Sequence, residues 1–133
     1  MHALDELNAL CLWDFRIASY NDDVLTILGS TDFDYYHKAE IRFHSVDFLE
    51  CATAFSHAYF GVASKEDASR VLAKSEDHEP GVTVFCILAD HDKGNYSAKY
   101  FIVAERAECT IGTVYYYKRE NLGPGERIAS WVK

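Results

Sequence analysis

Proline occurs twice and glycine seven times in 133 residues, too few for a linker-rich or low-complexity chain. Basic residues are also scarce. Thirteen Lys and Arg stand against twenty-one Asp and Glu, a formal net charge of −8. That shortage argues against duplex DNA, structured RNA and anionic membranes, each of which requires a basic footprint. No hydrophobic run is long enough to cross a bilayer: the longest, Val82 to Ala89, is already interrupted by Thr83. The segment from Met1 to Leu12 contains no Lys or Arg, so neither a secretory signal nor a transit peptide is expected, and the expected location is cytoplasmic.

Ligand-forming motifs are missing as well. Six histidines and four cysteines include no C-x-x-C, no H-x-x-x-H and no H-x-H, so neither metal nor cofactor is expected. His37 and His44, on one β segment, are expected to face opposite sides unless a bulge intervenes. Cys11, Cys51, Cys86 and Cys109 are widely dispersed, which predicts free thiols acting as small core hydrophobes rather than a disulfide framework. Cys51 with His57 is a close thiol–imidazole pairing, and it lies in no nucleophile motif. In Asp90-His91-Asp92-Lys93-Gly94-Asn95 the fifth and sixth positions and the later glutamate position of a calcium loop hold Gly94, Asn95 and Phe101. A hairpin turn is predicted there instead. Adjacent acids such as Asp22-Asp23 suit turns better than paired acid–base chemistry, and no catalytic residue is assigned.

Apolar residues supply 49% of the chain and aromatics 14%, enough for one sizeable core, so residues 1–133 are read as a single domain. Leu4, Leu7 and Leu10 mark a short N-terminal helix, and Ser64-Lys65-Glu66-Asp67 resembles a capping box opening a main helix to about Lys74. The acid-rich segment from Ser75 to Pro80-Gly81 should end it. Trp13 to Ile17 and Val24 to Leu28 alternate as a hairpin around Asn21-Asp22-Asp23. Ala39, Ile41 and Phe43 line one strand face, and the phase slips at His44-Ser45, predicting a bulge or tight bend. Residues 52–60 are ambiguous. Val82 to Ala89, apolar on both faces, should be a central strand. Lys99 to Glu105 and Thr110 to Lys118 complete an α+β domain: a curved, mostly antiparallel sheet of about six strands, one main helix and a short N-terminal helix. A tyrosine-rich strand ending in Tyr115-Tyr116-Tyr117 is hazardous as a bare edge, and a symmetric homodimer is predicted to protect it.

Charge distribution is the most informative feature. Residues 1–60 hold ten acids and three bases, whereas residues 118–133 hold four bases and two acids. Asp22, Asp23, Asp32 and Asp34, with Tyr35 and Tyr36, are therefore the candidate partner-binding residues, since acids interleaved with aromatics suit a basic protein surface. A solvated face without a partner is the competing explanation.

The segments Trp13-Asp14-Phe15-Arg16-Ile17, Val24-Leu25-Thr26-Ile27 and Ile41-Arg42-Phe43-His44-Ser45-Val46-Asp47-Phe48-Leu49 follow a strand, strand, apolar–x–Phe–x–x–Val layout. In this the chain resembles small immunity proteins of bacterial polymorphic toxin systems. The resemblance implies a non-enzymatic inhibitor of a cognate, often basic, toxin. The expectation is thus a small acidic cytosolic protein-binding domain. The alternative is a ligand-binding or enzymatic domain with a pocket lined by Tyr and by His44 or His57.

Overall fold

Asp22 and Asp23 both adopt left-handed backbone (φ +52° and +62°), the conformation a tight two-residue hairpin turn requires. They join β1 (Asp14–Asn21) to β2 (Val24–Ser30), pairing Asn21 with Val24. The computed structural model describes residues 2–75 and 79–133. Glu76 and Asp77, part of the segment expected to end the main helix, lie outside the described residues.

β2 continues through a loop to β3 (Tyr36–His44), where Ala39, Ile41 and Phe43 are fully buried as their alternation predicted. The phase slip after Phe43 is a tight bend: Ser45 is left-handed (φ +55°), and the chain leaves one sheet to start β4 (Phe48–Glu50) in another. The bulge lies earlier, between His37 and Ala39. β5 (Ala54–Ser56) and β6 (Tyr59–Val62) occupy the ambiguous stretch. α2 (Lys65–Lys74) starts where the Ser64 hydroxyl accepts the Asp67 N–H at 3.1 Å. β7 (Thr83–Asp92) and β8 (Asn95–Ala104) form a long hairpin closed by left-handed Lys93 and Gly94, as the turn reading of 90–95 predicts. β9 (Arg106–Tyr115) and the short β10 (Arg127–Ile128) follow, and α1 (His2–Ala9) precedes all of them.

The fold class is α+β, with one main helix and a short N-terminal one, but the strands form two sheets rather than one. The front sheet runs β10-β9-β3-β2-β1-β5 and the back sheet β4-β8-β7-β6. Pairing is antiparallel throughout except for β10 on β9. Phe15, Ile27, Ile41 and Phe43 of the front sheet meet Phe60, Phe85, Ile87 and Ile102 of the back sheet in one core, which Leu4 and Leu7 of α1 complete. The back sheet's other face packs Val84, Cys86, Phe101 and Val103 under Val71 of α2. β7 lies between β8 and β6 and is buried on both faces, which is why its apolar run does not alternate. The layers are front sheet, back sheet, helix. Both helices bury their apolar faces in these two clusters, so neither covers the outer face of the front sheet.

β9 ends at Tyr115 and has its own cover. β10 pairs with Val114 and Tyr115, and the Ala129 N–H reaches the Tyr115 carbonyl at 2.8 Å. The protection for which a homodimer was invoked is thus supplied at this end by the same chain.

Candidate functional site

The acidic residues fall into two turns at opposite ends of β2. Asp22 and Asp23 sit at its start, and Asp32 and Asp34 follow its end. Seven residues of extended chain separate them, roughly 20 Å. The six candidate residues therefore form two clusters rather than one.

At the first turn, the Val46 N–H donates to the Asp23 carbonyl at 3.0 Å, bringing the Ser45 bend and Asp47 alongside. The Tyr20 phenol reaches Asp23 Oδ1 at 3.5 Å. Its pKa is raised, by desolvation first and then by the negative charges of Asp23 and Asp47. Asp47 also accepts the Glu79 N–H at 2.8 Å. Asp47 and Tyr20 thus belong to this cluster although neither was a candidate from sequence.

The second turn is built on Ser30. Its buried hydroxyl donates to the Tyr36 carbonyl at 2.7 Å and accepts the Asp32 N–H at 3.0 Å. Asp32 Oδ1 then accepts the Asp34 N–H at 3.1 Å, a local turn that Asp side chains favour. Tyr36 is anchored, its hydroxyl 2.9 Å from Thr31 Oγ1 and its ring 6.3 Å from that of Tyr115. Tyr35 projects outward with its ring edge-on to Tyr117 at 6.3 Å. Lys38 over Tyr36 and Arg119 over Tyr115 bring positive charge to this end, so it is more balanced than the first.

A third cluster was not legible in the sequence. The bulge in β3 turns His37 onto the same outer face as Glu40 and Arg42. His37 Nε2 lies 2.7 Å from Glu40 Oε2, and Nδ1 lies 2.7 Å from the Tyr116 hydroxyl. An ionised Glu40 only accepts, so Nε2 carries the proton, Nδ1 accepts, and Tyr116 donates. Arg42 donates to Glu40 Oε1 and Arg127 to Oε2, each at 2.7 Å. His37 and Glu40 are only 6% and 8% exposed. Burial holds the His37 pKa below its ordinary value despite the Glu40 hydrogen bond. Burial pushes the Glu40 carboxyl up, but the hydrogen bonds from His37 and Arg42 and the charge of Arg127 outweigh it, leaving it lowered. His44 shares this face and pairs separately with Glu108 at 2.7 Å.

Cavities open on the surface among the described residues, three of them near the residues discussed above. One of about 540 Å³ lies among Lys118, Arg119, Glu120, Ile128 and Val132. Another of about 380 Å³ lies beside Arg16, Phe33, Ser56 and Asp90. A third of about 240 Å³ is lined by Cys11, His57, Tyr59, His91 and Tyr96. His57 thus does line a cavity with tyrosines, whereas His44 does not line any of the three. Burial pushes the Cys51 thiol up to about 12, so it offers no thiolate for catalysis near neutral pH. All four cysteines are free; Cys86 is buried, but Cys11, expected in the core, is exposed on a left-handed turn after α1. Among the described residues, no three His, Cys, Asp or Glu side chains are grouped to hold a metal ion. Nor is any helix among them long and apolar enough to cross a membrane.

Compared with protein-family models, curated proteins and solved structures, the chain shows no match.

Proposed function

We propose that this chain is a small, non-enzymatic protein-binding domain of the cytoplasm that docks a basic partner protein and inhibits it in the manner of an immunity protein. One observation carries the reading: each acidic turn holds a large exposed aromatic residue. Tyr20, 50% exposed, stands beside Asp22, Asp23 and Asp47, and Tyr35, 57% exposed, stands beside Asp32 and Asp34. Exposed tyrosine on a rigid turn is a typical source of binding energy, because a large ring is buried at little entropic cost. Surrounding acids act over longer range, steering a basic partner and raising the association rate. The separation of the two turns fits inside one interface of roughly 800 Å² per partner.

The test is capture from lysate of the source cells by crosslinking. Wild-type chain is compared with a variant carrying Asp22→Lys, Asp23→Lys, Asp32→Lys and Asp34→Lys. A basic protein recovered by the wild type and lost with the variant supports the reading. Equal recovery by both, or recovery of acidic proteins only, contradicts it.

The cavity of His57, His91, Tyr59 and Tyr96 favours a second reading, a small-ligand site. Its volume of about 240 Å³ lies below the range of roughly 300–1,000 Å³ usual for such sites, which places this reading second.

A further inference from the structure

The corner where β1 meets β5 holds charges of both signs that do not pair with one another. Asp14, Phe15 and Arg16 stand opposite Ser56, Phe55 and Ala54. Phe15 and Phe55 are buried and stack with ring centres 5.6 Å apart, so alternation puts Asp14, Arg16, Ala54 and Ser56 together on the other face. Asp90, left-handed at φ +57° within β7, reaches across from the back sheet, and its Oδ1 accepts the Ser56 N–H at 3.0 Å. Asp14 Oδ1 accepts the Ser56 hydroxyl at 2.9 Å. The Arg16 guanidinium lies 4.2 Å over the Phe33 ring and hydrogen-bonds the Tyr116 phenol. Asp14, Arg16, Phe33, Ala54, Ser56 and Asp90 all line the cavity of about 380 Å³.

Among the described residues, none of Asp14, Arg16 and Asp90 forms an ion pair. Two carboxylates and one guanidinium thus share one cavity without neutralising each other. Asp32 and Asp34 flank Phe33 in the chain without lining the cavity, so four acids stand around it against one base. That balance disfavours a simple anion, whereas a guest carrying both an ammonium and a carboxylate meets both signs. Asp14, Ser56 and Asp90, joined through Ser56, offer three oxygen acceptors, the number of N–H donors on a primary ammonium. Arg16 stacks by its face, which leaves N–H groups on its edge for a carboxylate. Asp14 and Arg16 are two residues apart on one strand, with Cα atoms about 7 Å apart, a span suited to a molecule whose ammonium and carboxylate share one carbon. The cavity also lies within the range of roughly 300–1,000 Å³ usual for small-molecule sites.

We propose that this cavity binds a free α-amino acid with an apolar side chain. The ammonium sits among Asp14, Ser56 and Asp90, the carboxylate meets the edge of Arg16, and the side chain packs against Ala54 and Phe33. The site goes beyond the protein-binding reading. It uses none of Asp22, Asp23, Asp32 and Asp34 and needs no protein partner, so either proposal can fail without the other.

The test titrates L-leucine, 3-methylbutylamine and 4-methylpentanoate into the intact chain by calorimetry. The second and third probes keep the leucine side chain but lack its carboxylate or its ammonium. Leucine should bind saturably, with Kd below about 1 mM and at least about tenfold tighter than either fragment. Arg16→Gln and Asp14→Asn should each weaken leucine by about tenfold or more, with an unchanged circular dichroism spectrum. Asp14→Asn keeps an acceptor for the Ser56 hydroxyl, so it serves the test if Arg16→Gln loosens the fold. Glu66→Gln, on α2 and away from the cavity, should bind leucine like wild type. Absence of saturation by leucine up to about 10 mM, or a fragment binding as tightly as leucine, would overturn the proposal. So would folded Arg16→Gln and Asp14→Asn chains binding leucine like wild type, or Glu66→Gln weakening it as much as they do.

Discussion

The Tyr116 hydroxyl donates a 2.7 Å hydrogen bond to Nδ1 of His37, 79 residues earlier in the chain. That bond joins the segment after β9 to the start of β3 and fixes the ring so that its other nitrogen meets Glu40 at 2.7 Å. A neutral imidazole is built into the native state.

Stability should therefore fall on mild acidification. The His37 pKa is lowered from 6.5 in the folded chain, so below that pH the unfolded chain takes up a proton that the folded chain resists. The contribution is whole above pH 6.5 and declines as pH falls toward the folded value. Glu40, lowered from 4.5, adds a second loss at lower pH, because its folded form must be protonated against its partners. Thermal melting across this range should show Tm falling as pH drops, and His37→Gln should flatten the first part of the decline. An identical decline in the variant would show that His37 is not its source.

Glu40 and Arg127 share a hydrogen bond but should differ in cost. Glu40→Ala removes a buried acceptor from three donors and should destabilise by about 3 kcal/mol, since breaking a buried ion pair strands its partners. The Arg127 side chain is half exposed, and Arg127→Ala should cost about 1 kcal/mol or less. Urea denaturation of the two variants gives both numbers. Equal losses would mean that Glu40 is held by solvent as much as by its partners.

Gly112 has no room for a side chain. A Cβ there would collide with the Gly125 carbonyl, so this glycine lets the C-terminal segment lie against β9. Gly112→Ala should displace that segment and raise amide exchange at Ala129, whose N–H bonds the Tyr115 carbonyl. Unchanged protection at Ala129 would show that β10 docks independently of this contact.

Long strands were legible in the sequence because they have room to alternate. Ala39, Ile41 and Phe43 on β3 and the doubly buried run of β7 follow from the pattern, as does the Ser64 cap. Four strands of two to four residues, β4, β5, β6 and β10, are too short to show a period, and with them the second sheet went unread. The bulge at Lys38 was hidden for a similar reason. Alternation is regular from Ala39 onward, so only the phase of His37 changes. The acidic turns were visible as local composition. The Glu40 network was not, because it joins residues 3, 79 and 87 positions apart, and no local pattern carries such spacing.

In the proposed function, the acidic turns steer a basic partner which the tyrosines then hold. The direct measurement is the association rate of the captured partner by stopped flow over a range of ionic strengths. Wild type is compared with the chain carrying Asp22→Lys, Asp23→Lys, Asp32→Lys and Asp34→Lys. The reversal should slow association by about tenfold or more at low salt and flatten its salt dependence. Tyr20→Ala or Tyr35→Ala should leave association nearly unchanged and speed dissociation. An unchanged on-rate with an unchanged salt slope in the reversed chain would contradict the claim.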